Sequence, residues 1–341
     1  MLYSPLTVVI GRQAFSYGNS FIFSTGAIGG EDSGIPSIAS DLSKQKGLDA
    51  IRAILDYNPL KLEMFYGKID SNDTDSSITP NSKDDVDVAG IVGTYDFGDA
   101  KKSAVEAYVF AKADRSINRF SHPSVIPGKT SKLYVPGIRV STNPIEKLYT
   151  SLEYAHQMGQ KYYEDDSIPP ANGYREDVSA NAVQFIAVYQ LPVAEKYTPV
   201  LSYDYTYTSG DERIGSSKKA WDPFFENQNN GKIYNVLFEQ SNSHVQSLGL
   251  QVNPMEDVTT KLSWTNLRLD KSFSASTIGG SGYLKNANVT TNKALGNEID
   301  FDVKYAYTED VTIGANLGWF MPGKSFKKPE RNQVASQAIV N

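Results

Sequence analysis

The chain has 341 residues with 33 Lys and Arg against 39 Asp and Glu, and its net charge of −6 is spread along the sequence without a basic tract. We therefore expect no nucleic-acid partner. The absence of cysteine excludes a disulfide framework and a thiolate metal site. No run approaches the roughly 20 apolar residues of a membrane-spanning helix. The start, MLYSPLTVVIGRQ, has no basic region followed by an apolar region and does not predict a signal peptide.

Alternation of apolar and polar residues recurs along the chain, as in EIDFDVKYAYTEDVTIGANLGWFMPG from Glu298. In an extended chain this pattern puts apolar side chains on one face and polar side chains on the other. We predict about fourteen strands, near residues 5–13, 47–57, 60–70, 86–97, 102–115, 132–143, 146–157, 177–190, 197–209, 243–254, 258–270, 297–308, 311–322 and 333–340. Many are longer than the usual strand of a soluble protein and match a tilted membrane crossing.

The connections between these strands alternate strictly between short and long. The short ones are NP after Tyr57, GDAKK after Phe97, NPIEK after Thr142, PVAEK after Leu191, PMED after Asn253 and TED after Thr308. A soluble sandwich has no reason for this alternation, whereas an outer-membrane barrel has short periplasmic turns and long outer loops. The predicted fold is an all-β, transmembrane, antiparallel up-and-down β-barrel in the bacterial outer membrane, with residues 1–341 forming a single domain.

Aromatic residues lie at the ends of the apolar rows. They are Tyr57, Tyr95, Tyr189, Tyr305 and Tyr307 beside short turns, and Tyr66, Trp264 and Trp319 toward long loops. Two aromatic girdles at the membrane interfaces have this arrangement. The alternative is that tyrosine is simply common in strands.

The polar face is predicted to line a lumen. Buried charge needs water or a partner, and a barrel of about fourteen strands is too wide to be filled by its own side chains, so we expect a water-filled channel. The candidate residues of the solute path are Arg52, Lys61, Arg139, Lys147, Lys261, Glu298, Asp300, Asp302 and Lys304. Because their signs are mixed, cross-strand ion pairs that serve only stability explain part of the set.

The stretch VVIGRQAFSYGNSFIF at Val8 resembles the GRQ region of the alginate-export family of bacterial outer-membrane barrels. The closing hairpin YAYTEDVTIGANLGWFMPG resembles the end of that family, and AWDPFFENQNNGKIYN from Ala220 is similar to its aromatic-proline loop. The resemblance implies an eighteen-stranded barrel that passes an anionic exopolysaccharide through an arginine-rich lumen. It also implies that about four N-terminal strands precede the fourteen, and it adds Arg12 to the lumen candidates.

The sequence predicts transport and no enzymatic activity. His244 has Ser243 and Ser247 nearby in sequence, but His122 and His156 have no catalytic pattern, and we expect neither a cofactor nor a metal. The leading hypothesis is a channel for a polysaccharide or another large hydrophilic solute. Its expected partners are outer-membrane lipid, the solute and periplasmic secretion proteins. A general diffusion porin and a plugged barrel that serves as a surface scaffold or adhesin remain alternatives, since FSTGAIGGEDSGIPSIASDLSKQ after Ile22 could fold inward.

Overall fold

The structure is a computed structural model that describes residues 5–24, 48–69, 86–114, 130–163, 174–211, 217–224, 231–238, 240–272, 291–326 and 333–340. Among these residues, no helix has the length and hydropathy needed to cross a membrane. The one α-helix described is α1 (Tyr234–Leu237). The strands are β1 (Leu6–Gln13), β2 (Ser16–Tyr17), β3 (Phe23–Ser24), β4 (Leu48–Tyr57), β5 (Leu60–Ile69), β6 (Val86–Asp96), β7 (Ala104–Asp114), β8 (Ser131–Ile145), β9 (Leu148–Tyr163), β10 (Tyr174–Gln190), β11 (Val200–Thr208), β12 (Ser217–Lys218), β13 (Ser243–Met255), β14 (Val258–Leu269), β15 (Ala294–Ala306), β16 (Thr312–Pro322) and β17 (Ala335–Val340).

Fourteen of these strands form one up-and-down antiparallel sheet. Its order is β1-β4-β5-β6-β7-β8-β9-β10-β11-β13-β14-β15-β16-β17, and the short β12 pairs in parallel with β10. All fourteen predicted strands are present, and the predicted all-β antiparallel architecture is confirmed. The main difference is β9, which ends at Tyr163 and not near residue 157. Because successive strands run in opposite directions, the strand ends that join short turns lie at one rim of the sheet and those that join long connections lie at the other.

Side-chain burial is inverted relative to a soluble sheet. Along β6, Ile91 is 57% exposed, whereas its neighbour Val92 on the opposite face is buried. Along β15, Ile299 and Phe301 are exposed, while Glu298, Asp300 and Asp302 are buried. We call the exposed, apolar side the outer face and the other side the inner face. An apolar face left open along the whole sheet requires an apolar solvent, which is the arrangement of a barrel in lipid.

Two chain segments cover the inner face, and sequence alternation did not reveal either of them. The inner hairpin comprises residues 14–24 and contains β2 and β3. The inner helix segment comprises residues 217–224 and 231–238 and contains β12 and α1. The expected plug, from Phe23 onward, is described only at Phe23 and Ser24, where Phe23 is fully buried in the inner hairpin. Its remaining residues, 25–45, lie outside the described ranges.

Candidate functional site

The inner hairpin is attached to the inner face through its backbone. At its turn, the N–H of Gly18 donates to Glu106 Oε1 at 2.5 Å and the N–H of Asn19 donates to Glu153 Oε2 at 2.8 Å. The Tyr108 hydroxyl donates to the second oxygen of Glu153 at 2.7 Å. Carboxylates that accept such bonds form strong, charge-assisted contacts. Two wall carboxylates on β7 and β9 therefore hold a loop rather than face an open lumen.

Gly18 is required at this turn for two reasons. Its φ of +60° lies in the left-handed region, which disfavours residues with a Cβ. A Cβ on Gly18 would also lie 2.4 Å from Glu153 Oε1. Since Glu153 is fully buried, its carboxylate has no room to retreat. The turn and the wall carboxylate are therefore fitted to each other.

Aromatic rings fill the space between the inner hairpin and the wall. The ring of Phe23 lies 5.2 Å from Phe65 and 4.9 Å from Phe110, measured between centroids. Tyr17 stacks on Phe65 at 5.6 Å. Phe224 of the inner helix segment lies 6.0 Å from Phe23, so the two inward segments meet. Aromatic pairs at these distances add to the energy of apolar burial.

The predicted path residues Arg52 and Lys61 lie together on the inner face and share one carboxylate. Arg52 Nη2 is 2.6 Å from Glu63 Oε1, and Lys61 Nζ is 3.2 Å from Glu63 Oε2. The Arg52 guanidinium also lies over the ring of Phe15, 5.4 Å from its centroid, within the range of a cation–π contact. One carboxylate thus offsets the charge of only one of the two cations, and Arg52 helps to seat the inner hairpin.

Arg139 is also on the inner face, whereas Lys147 is not. Arg139 Nη2 lies 3.6 Å from Glu106 Oε2, so this arginine belongs to the cluster that holds the inner hairpin. Lys147 was expected in a strand, but it occupies the tight β8–β9 turn with a φ of +62°, 3.9 Å from Glu195. Because a two-residue turn reverses the chain there, the Lys147 side chain lies at the short-turn rim and not along the lumen wall.

The inner helix segment is attached by a third wall carboxylate, Glu298 on β15. The backbone N–H groups of Ile233 and Tyr234 donate to its two oxygens at 2.8 Å each, and the N–H of Lys232 donates to Oε1. At the other end of the segment, the side-chain amide of Gln157 exchanges two hydrogen bonds of 2.9 Å with the backbone of Asp222. One segment therefore connects β9 with β15 across the interior.

The remaining path candidates surround this attachment. Asp300 and Asp302 are buried on β15 beside Glu298, and Lys232 Nζ lies 3.7 Å from Asp302 Oδ1. Lys261 lies directly across from Asp302 in the β14–β15 pair. Lys304 is on the same inner face but is exposed near the short-turn rim. The structure thus brings Lys261, Asp300 and Asp302 together and leaves Lys304 apart from them.

Arg12 is placed on the outer face, contrary to the expectation that it lines the lumen beside Arg52. It pairs across the strands with Asp49, and its Nε lies 3.0 Å from Asp49 Oδ1. Directly opposed residues share a face, and Asp49 is on the same face as the exposed Ile51. The three consecutive apolar residues 8–10 conceal the orientation of β1, which only its register with β4 fixes.

The predicted girdle residues lie on the exposed side of the sheet. Tyr57, Tyr66, Tyr95, Trp264, Tyr307 and Trp319 are each at least 40% exposed, and Tyr189 and Tyr305 are half-buried. Trp264 and Trp319 lie in one cross-strand row, since both pair with Ile299. Their role as membrane girdles stays a prediction.

The histidines that the structure describes lie outside the inner face. His244 Nδ1 is 2.8 Å from the Tyr205 hydroxyl on the outer face. Ser243 and Ser247 point to the opposite face, where their hydroxyls contact Thr208 and Thr265. His244 and these serines therefore do not form a nucleophile–base pair. His122 lies outside the described residues.

Sequence reasoning missed the part that Glu106, Glu153 and Glu298 play in holding the two segments. A usable signal was the aromatic density of AFSYGNSFIF, residues 14–23, which contains no charged residue on either parity. Such a stretch does not suit a strand with one polar face. It suits a segment buried inside the barrel.

One family model and several solved structures match the chain. The family model described as alginate export matches residues 4–340. No curated protein matches the chain. Among solved structures, the chain is similar to the ferric enterobactin receptor PfeA in complex with BCV-L6, at 12% identity and a TM-score of 0.46, over 82% of this chain and 42% of the receptor. It is also similar to an arginine-to-alanine mutant of that receptor from Pseudomonas aeruginosa in complex with enterobactin, at 10% identity and a TM-score of 0.47. This match covers 94% of this chain and 45% of the receptor.

The chain covers less than half of each of these receptors. The family match, in contrast, takes in nearly all of the chain, including the Val8 stretch, the Ala220 loop and the closing hairpin. The description of that family is one of transport and not of catalysis. The chain therefore belongs to the alginate-export family and is a β-barrel protein of the bacterial outer membrane.

Proposed function

We propose that the protein is an outer-membrane channel that passes a polysaccharide, such as an alginate-like exopolymer, or another large hydrophilic solute. The observation that carries the proposal is the inverted burial of the strands: the outer face is apolar, and the buried charged residues, Glu63, Glu106, Glu153 and Glu298 among them, are on the inner face. The polar part of the interior suits a hydrated solute, because hydroxyl and carboxylate groups lose little hydrogen bonding on entry. The family match supports the choice of a polysaccharide.

The ion pairs and hydrogen bonds of the wall carboxylates support passage of an anionic polymer. Glu63 is paired with two cations. Glu106, Glu153 and Glu298 accept hydrogen bonds from backbone N–H groups of the inward segments. Their negative charge is therefore offset locally and repels a polyanion less than a count of acidic residues suggests. Rings of charge at close range decide which ions a pore admits.

The two inward segments support a second candidate, a plugged barrel that serves as a surface scaffold. Phe15, Phe23, Trp221 and Phe224 are buried over the inner face, and an aromatic cluster of this kind leaves no polar path at that point. Transport requires a route beside the cluster or displacement of a segment. The scaffold requires neither.

Planar-bilayer conductance of the purified protein separates these candidates. We expect a conductance that prefers anions and is blocked by alginate oligosaccharides at lower concentrations than by neutral dextran oligosaccharides of equal length. The double variant Arg52→Glu with Arg139→Glu should lose the anion preference. The matched control, Lys101→Glu with Lys196→Glu, makes the same charge change in exposed short turns and should keep it.

Two results would reject the polyanion channel. Cation selectivity of the unmodified protein would mean that the carboxylates dominate the field, and a general porin would replace the exopolymer channel. A folded protein without conductance would favour the plugged scaffold.

A further inference from the structure

The outward residues of the described strands carry charge at only one of the two rims. The charged residues that the described strands direct outward are Arg12, Asp49, Lys68, Asp87, Lys132, Arg175, Asp177 and Arg268. All eight lie within four residues of the strand end that joins a long connection. Toward the short turns, the outward residues of the described strands are uncharged, with Tyr57, Tyr95 and Tyr189 among them.

Basic residues predominate in this charged rim. Five of the eight are basic and three are acidic, which gives a net charge of +2. Each of the five basic residues is exposed and lies next to the terminal residue at the strand end that joins a long connection; they are Arg12, Lys68, Lys132, Arg175 and Arg268. Repetition of the same position on five strands defines a belt, which we call the outer basic belt.

Three members of the belt, Arg12, Lys68 and Lys132, lie in one cross-strand row of outward residues. Residues Arg12, Asp49, Lys68 and Asp87 oppose one another on β1, β4, β5 and β6, and the row continues through Ala113 to Lys132 on β8. The two acidic residues are paired, with Lys68 Nζ 3.7 Å and the Tyr66 hydroxyl 3.0 Å from Asp87 Oδ1. Neighbouring strands are about 4.8 Å apart, so Lys68 and Lys132 are separated by about 14 Å across the sheet.

A charged side chain on the lipid-facing side is costly in hydrocarbon and tolerated at the level of the headgroups. Among the outward residues of the described strands, the cations lie at this rim and none lie toward the short turns, where Lys101, Lys102, Lys147 and Lys196 are in the turns themselves. This difference within the strands indicates that the membrane surface at this rim is the more anionic one. Phosphate groups attract Arg and Lys strongly, and Arg binds them through two parallel hydrogen bonds. The outer leaflet of a bacterial outer membrane consists of a glycolipid with a phosphorylated headgroup.

We propose that the outer basic belt binds the phosphorylated headgroup of lipopolysaccharide, with its cations contacting the lipid A phosphates. This site is separate from the solute path, because every member of the belt is on the opposite face of the sheet from Arg52 and Glu298. It also fixes the orientation of the protein, with the long connections at the cell surface.

The test uses the full chain in detergent, with lipid retention measured by native mass spectrometry. The belt variant replaces the three basic residues outside the two ion pairs by glutamine: Lys132→Gln, Arg175→Gln and Arg268→Gln. The matched control changes three exposed residues at the short-turn rim: Lys101→Gln, Lys102→Gln and Lys196→Gln. The probes are bisphosphorylated lipid A, the same lipid without phosphates, and phosphatidylglycerol. Heat-modifiable gel mobility establishes that each variant is folded.

We expect the unmodified protein and the matched control to retain bisphosphorylated lipid A equally. The belt variant should bind it roughly a hundredfold more weakly, since three basic residues near an anionic surface contribute about 1 kcal/mol each. Equal retention by the belt variant and the control would overturn the proposal. Equal binding of the lipid without phosphates would exclude headgroup recognition, and equal binding of phosphatidylglycerol would exclude selection of the glycolipid.

Discussion

Ile91 provides a sharp test of the lipid-facing outer face. It is the sixth of the eleven residues of β6, and its cross-strand neighbours on the outer face, Met64 and Val109, are exposed as well. Five residues at about 3.4 Å each and a strand tilt of about 40° place it about 13 Å from either end of the strand. The apolar band of such barrels is about 25 Å tall, so Ile91 lies near its middle.

Arginine at this position should therefore be expensive. We expect Ile91→Arg to lower the free energy of unfolding by about 2–4 kcal/mol, the range for Arg at the bilayer midplane. This corresponds to a decrease of roughly thirtyfold to several hundredfold in the folding equilibrium constant. Tyr95→Arg, four residues nearer the rim on the same face, should cost only about 0–1 kcal/mol beyond the loss of the tyrosine ring. Urea titration of folding in lipid vesicles, followed by tryptophan fluorescence, measures both values. Equal costs at the two positions, or no cost at Ile91, would show that this face does not contact hydrocarbon.

Two further predictions concern orientation and the inner hairpin. Cysteine labelling in intact cells should modify Thr291→Cys at the long-connection rim and spare Asn58→Cys at a short turn; the reverse pattern would invert the orientation. Gly18→Ala should lower the free energy of unfolding by about 1–3 kcal/mol more than Gly98→Ala, a range typical of overpacking. Both glycines have φ near +60° and share the same backbone strain, but a Cβ on Gly98 meets no atom within 4 Å. Equal losses in urea titration would mean that the wall carboxylate does not constrain the turn.

The strands were predictable because each has one lipid-facing and one interior side. In β15, Ile299, Phe301 and Val303 alternate with Asp300 and Asp302. An extended chain therefore places the three apolar residues on one face and the two aspartates on the other. The same signal located both ends of most hairpins, because the alternation stops where the chain leaves the sheet.

The parts that the sequence did not predict depend on contacts between distant residues. The face of Arg12 follows from its register with Asp49, 37 positions away. The attachment of Asn19 to Glu153 joins residues 134 positions apart. Local periodicity contains no information on such pairs. A polar residue on the inner face also gives the same sequence pattern whether its side chain contacts water or another segment of the chain. Arg52 and Arg139 could therefore be assigned to the inner face, and ion pairing expected there, without any sign of which carboxylate each one contacts.

The way in which the inward segments are attached affects how the protein can evolve. Glu106, Glu153 and Glu298 bind backbone N–H groups, which every residue except proline supplies. The side chains of the bound loops can therefore change while the attachment persists, apart from Gly18, where a Cβ does not fit. Substitution of a wall carboxylate, in contrast, leaves several buried donors without an acceptor at once. Relatives with different solutes can thus differ in loop sequence over an unchanged set of wall carboxylates.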